Sequence, residues 1–191
     1  MVALRMILLL VQLSIDFKFA SASNRGVDVS VSTTADQWNC LKTNENISFA
    51  IIRTYRSVGL LDTNATASLH TAYNTGIRNL GAYIFPCIPT SAYSISQNIT
   101  CDSPEAQMVS TIKYLENNGI RVLRSKERQL ISSSIIGPIV NRIWLDVEDE
   151  SPSKYYDENP EYNTKFLKSM EATAASMDVF LGIYTKKVKY S

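Results

Sequence analysis

The chain has 191 residues, 45% hydrophobic and 19% charged, with a formal net charge of +1. That balance fits one globular domain and excludes a disordered chain or a protein of many membrane spans. Near-neutral charge supplies no broad basic surface, so no nucleic-acid partner is expected.

In chain order, residues 1–22 read as a signal peptide. Residues 1–5 give a basic start, residues 6–15 an apolar run, and Ala20-Ser21-Ala22 a small-residue cleavage site. Asp16 and Lys18 close the apolar run well short of the roughly 20 residues a membrane span requires. A secreted, extracellular protein is therefore expected, with no membrane association after cleavage and a single domain over residues 23–191. The sequons at Asn46, Asn64 and Asn98 agree with passage through a eukaryotic secretory pathway. In an oxidising compartment Cys87 and Cys101 are disulfide candidates. They would close a loop of about 15 residues, worth about 3 kcal/mol, and leave Cys40 over.

The segment 26–30, Gly-Val-Asp-Val-Ser, reads as a first strand carrying an acid, Asp28. Two readings of Asp28 stay open: a site residue, or the cap of a helix over 32–38. A second buried strand is expected over 48–55, a helix over 67–75 ended by Gly76, and a third strand over 80–85 stopped by Pro86. Tyr83 lies on that strand. Ser103 and Pro104 open a helix as N-cap and first helical residue, and Gly119 ends it. The run Ile143-Trp144-Leu145-Asp146-Val147 reads as a buried strand whose end carries acids. A further helix is expected over 160–177 and a fifth strand over 179–184. Alternating strands and helices predict an α/β fold with a parallel sheet, as a barrel or a doubly wound sheet. No Gly-rich phosphate loop follows the first strand, which argues against nucleotide binding. The basic stretch 121–136 is too long for a connection between helix and strand and reads as an insertion.

Asp146 and Glu148 carry the chemistry. Two residues apart on a strand, they share a face, and two neighbouring carboxyls resist joint ionisation. An acid beside an anion is what glycoside hydrolysis uses. Asp149 and Glu150 extend the acidic cluster, whose plain alternative is a solvated loop. His70 is the lone histidine and no Cys-x-x-Cys pair accompanies it, so neither a metal nor any other cofactor is expected.

With Gly-Val-Asp-Val-Ser at 26–30, Tyr-Ile-Phe-Pro at 83–86 and Leu-Asp-Val-Glu at 145–148, the sequence resembles glycoside hydrolase family 25, the Chalaropsis-type lysozymes, in a nematode-like branch. The resemblance implies a modified (β/α)-barrel of the TIM type with about five of eight strands present, a truncated C-terminus, and the basic stretch and lysine-rich end as retained non-coding sequence. It implies a monomer whose partner is bacterial peptidoglycan, cleaved at the β-1,4 bond between N-acetylmuramic acid and N-acetylglucosamine, in digestion or innate defence. By the same resemblance Glu148 is the general acid, Asp146 holds the substrate acetamido group, Asp28 supports the site and Tyr83 contacts sugar. Two rivals remain. A family 18 chitinase lacks support because 134–142 offers no acid upstream of Asp146. The other is an inactive homologue that binds cell-wall glycan or does not fold.

Overall fold

The computed structural model describes residues 25–127, 137–148 and 154–185. The expected signal peptide, Asp149, Glu150 and residues 128–136 of the basic stretch lie outside these.

Strand β1 (Arg25–Val29) leads into helix α1 (Ala35–Asn44), which begins at a capping box. Thr34 accepts from the Gln37 amide and the Gln37 side chain accepts from the Thr34 amide, so two orphan donors of the first turn are satisfied reciprocally. The cap is therefore Thr34, and the reading of Asp28 as a cap falls. Strand β2 (Ile47–Arg56) turns back at Gly59 into the two-residue antiparallel β3 (Leu60–Leu61), and α2 (Ala65–Asn74) follows. Next come β4 (Asn79–Ile84), the short α3 (Ala92–Ser96) and α4 (Pro104–Asn117), capped by the Ser103 hydroxyl on the Ala106 amide. Then β5 (Arg121–Val122), β6 (Ile139–Asp146), α5 (Pro160–Ser176) and β7 (Leu181–Tyr184) complete the described strands and α-helices.

The sheet runs β1-β2-β4-β6, and the far edge of β6 is shared: β5 pairs with Ile139 and Val140, β7 with Ile143 to Asp146. Every pairing except that of β3 is parallel. The fold is thus mixed α/β on a mostly parallel sheet. Arg121 and Val122, expected to begin an insertion, are strand β5, and Arg124 bridges to Val179.

Alternation along each strand divides the sheet into two faces. Ala50, Ile52, Leu80, Ala82, Ile143 and Leu145 point into the helix-covered core with Leu69, Ala72, Met108, Ile112, Phe166 and Met170. The opposite face carries Gly26 and Asp28, then Phe49, Ile51 and Arg53, then Gly81 and Tyr83, then Trp144 and Asp146, then Gly182 and Tyr184. Within it, glycines stand beside large rings. A Cβ on Gly26 would lie 2.0 Å from Phe49 Cε2, and one on Gly182 would lie 2.6 Å from Trp144 Cε3. This alternation of small and large residues is how strands pack on a strongly curved inner surface.

Candidate active site

The connection after β4 is pinned from two sides. Gln107, fully buried on α4, accepts from the Cys87 amide at 3.0 Å and donates to the Cys87 carbonyl at 2.8 Å and the Asp102 carbonyl at 2.9 Å. It acts as a strand partner where the sheet offers none. A disulfide between Cys87 and Cys101, with Cα atoms 5.4 Å apart, closes the same loop. Cys40 is free and exposed. The end of β4, and Tyr83 with it, is therefore held in place.

After β6 the chain stays extended. The Val147 amide donates to the Tyr184 carbonyl at 2.7 Å, and the Tyr156 hydroxyl donates to the Asp146 carbonyl at 2.6 Å. Asp146, the last residue of β6, is 7% exposed, and Glu148 is half-buried two residues beyond it. Neither an isolated loop nor a solvated tip describes this pair.

Four sequence-derived residues, Asp28, Tyr83, Asp146 and Glu148, gather at the carboxyl ends of the strands, where α/β folds place their chemistry. The two tyrosines report this convergence. Burial first, and then the Asp146 and Asp28 carboxylates and Tyr184, hold the Tyr83 hydroxyl well above the usual phenol range, against an opposing pull from the Arg53 cation. Tyr184 is pushed up to about 12, by burial first and then by Asp28, Glu148 and Asp146. The Asp28 carboxylate therefore lies close to the Tyr184 hydroxyl. Since β1 and β7 lie at opposite sides of the sheet, that proximity requires the sheet to curl, so the face bearing the acids is concave. The rings of Tyr83 and Tyr184 lie 6.5 Å apart between those acids. Both phenols remain neutral donors at physiological pH.

The sequons are placed elsewhere. Asn46 sits in the turn before β2, Asn64 at the N-cap of α2 and Asn98 in the turn after α3, all exposed. His70 Nε2 is hydrogen-bonded with the Asn118 carbonyl at 3.0 Å, far in sequence and role from the acids.

Two residues of the site escaped the reading of the sequence. Tyr184 closes a short apolar strand and looks like an ordinary core residue. Arg53 alternates with Phe49 and Ile51, a parity that assigns it to the concave face once the strand is known. Its guanidinium meets Asp62 at 3.0 Å and donates to the Ser30 carbonyl at 2.8 Å.

The chain is similar to known proteins in sequence and in fold. The family model described as Lysozyme-like protein 1 matches residues 20–125 and 128–191, so most of the basic stretch and the lysine-rich end lie inside the matched range. The chain is 29% identical over 169 residues to "Probable GH family 25 lysozyme 5" of Dictyostelium discoideum, covering 88% of this chain and 63% of that one. It is 24% identical to "Lysozyme-like protein 5" of Caenorhabditis elegans, covering 86% of this chain and 62% of the relative. It thus spans a little under two thirds of the length of these relatives. The modular autolysin LytC of Streptococcus pneumoniae shares the fold with a TM-score of 0.55 at 14% identity, over 83% of this chain and 32% of that one. The chain belongs to the lysozyme-like proteins of glycoside hydrolase family 25.

Proposed function

We propose that this protein is a secreted glycoside hydrolase that cleaves the β-1,4 bond between N-acetylmuramic acid and N-acetylglucosamine in bacterial peptidoglycan, in digestion or defence against bacteria. The curled sheet is read as an arc of the family's modified barrel, with its concave face as the glycan site. One observation carries the reading: Asp28, Asp146 and Glu148 arrive from two strands far apart in sequence at one concave end, around two neutral tyrosines.

In this reading Glu148 donates a proton to the glycosidic oxygen as the bond to the sugar C1 breaks. Asp146 and Glu148 stand at the end of one strand and approach the sugar from the same side, so neither sits behind C1 as a nucleophile. The substrate's own acetamido oxygen fills that role and forms the new bond to C1, as in substrate-assisted glycosidases. Asp146 holds the acetamido group and stabilises its developing positive charge. Water then adds at C1 and returns a proton to Glu148. Asp28 fixes Tyr184, and Tyr83 offers its hydroxyl to the sugar.

The test is cleavage of peptidoglycan before and after chemical N-deacetylation. The acetylated glycan is expected to yield products with N-acetylmuramic acid at the new reducing ends, and the deacetylated glycan almost none. Equal rates on both would rule out attack by the acetamido group.

A further inference from the structure

Strand β1 carries Asp28 and, among the described residues, has a single neighbour in the sheet, β2. An edge strand held on one side frays most easily at its ends, and Asp28 lies one residue from the end of β1. The chain beyond it is nevertheless tied down. The Arg53 guanidinium donates to the Ser30 carbonyl at 2.8 Å, two residues past Asp28. Farther along, the Thr33 amide donates to the Ser68 hydroxyl on α2 at 3.3 Å.

Arg53 is itself held. Its Nε donates to Asp62 Oδ2 at 3.0 Å, and its Nη2 lies 3.0 Å from the same oxygen. Asp62 is 7% exposed and anchored through its own backbone. Its amide donates to the Thr54 carbonyl, and its carbonyl accepts from the Ala65 amide and the Tyr114 hydroxyl. The other carboxylate oxygen accepts from the Asn64 amide. A planar guanidinium with fixed donors can hold a carboxylate and a carbonyl at once, which a lysine ammonium does not reproduce. On the opposite side Arg53 pairs in register with Tyr83 of β4. A charge-neutral pair thus joins the end of β1, the turn before α2 and the neighbourhood of Tyr83.

We propose that Arg53 and Asp62 form a positioning pair, which clamps the carboxyl end of β1 so that Asp28 meets Tyr184 across the concave face. Neither residue touches the scissile bond. The pair acts through Asp28, and the proposal rests on the glycosidase reading of the site for its catalytic consequence alone.

The experiment compares wild type, Arg53→Met, Arg53→Lys and Asp62→Asn by steady-state kinetics on peptidoglycan and by the Tyr184 ring-carbon resonance at neutral pH, assigned with Tyr184→Phe. A displacement of a catalytic group by about 1 Å can lower the rate on the order of 10²-fold. Arg53→Met is expected to lose kcat by that order with KM unchanged and to move the Tyr184 resonance. Arg53→Lys is expected to recover part of both, and the isosteric Asp62→Asn to shift both in the same direction by less. If Arg53→Met does not fold, Asp62→Asn decides. Folded variants with unchanged kcat and an unmoved resonance would overturn the proposal, as would variants that lose thermal stability alone. A folded wild type that cleaves nothing would sink the glycosidase reading, and the resonance would still decide the clamp: movement supports it and its absence overturns it.

Discussion

Trp144 shares the sheet face of Asp146, two residues before it on β6, and its ring is wedged between two glycines. A Cβ on Gly81 would lie 3.0 Å from Trp144 Nε1, while one on Gly182 would lie 2.6 and 2.7 Å from Cε3 and Cζ3 and 2.9 Å from Arg142 Cδ. The substitution Gly182→Ala therefore presses the ring from one side while the β4 backbone blocks retreat on the other. Relief comes by tilting into the half-exposed concave face, so the penalty is that of ordinary overpacking, about 1–3 kcal/mol. At about 2–4 °C per kcal/mol for a chain of this size, the melting temperature should fall by roughly 2–12 °C. Thermal unfolding followed by circular dichroism measures this, and Trp144 emission reports the tilt. A double-mutant cycle assigns the cause: in a Trp144→Leu background the same substitution should lose most of its effect. A Gly182→Ala protein within about 0.5 kcal/mol of wild type would refute the wedge, as would an equal loss in both backgrounds.

Gln107→Leu keeps the volume but leaves the buried Cys87 amide and carbonyl without that partner, at about 1–3 kcal/mol for each unsatisfied group; urea unfolding should show the loss, and an unchanged midpoint would contradict it. Alkaline stability should depend on the phenols whose protons the fold holds most tightly. Tyr184 and Tyr55 both titrate at about 12 in the fold against an ordinary 10.0. The folded state retains these protons, so their stabilisation is complete below the unfolded value and is lost as pH rises from about 10 to 12. Tyr184→Phe should reduce the slope of unfolding free energy against pH in that window by about one proton, and an unchanged slope would contradict its placement.

The long elements were legible because their physics is local. Periodicity and branched side chains mark β2, β4 and β6, and Ser103-Pro104 and Gly119 bracket α4. The capping box at Thr34 and Gln37 went unread: the cap was sought at Asp28 and the helix over 32–38, whereas α1 spans Ala35–Asn44. Strands β3 and β5 are two residues each, too short for any period, and arise only from pairing with β2 and β6. In the site, Asp146 and Glu148 stood out because acids at the end of an apolar run are costly without a purpose. Tyr184 did not, since its approach to Asp28 depends on how far the sheet curls. Nor did Arg53 and Asp62, which meet across the turn after β2, or the pairing of Gly182 with Trp144, which depends on cross-strand register.

The central claim is that Glu148 protonates the leaving sugar. The most direct measurement is release of muropeptides from purified peptidoglycan by the folded wild-type protein beside its Glu148→Gln variant, with folding checked by circular dichroism. Removing a general acid typically lowers the rate about 10²–10⁴-fold, and a loss of that size is expected with glycan binding retained. Release at the wild-type rate by folded Glu148→Gln would contradict the account, as would a folded wild type that binds peptidoglycan and releases nothing.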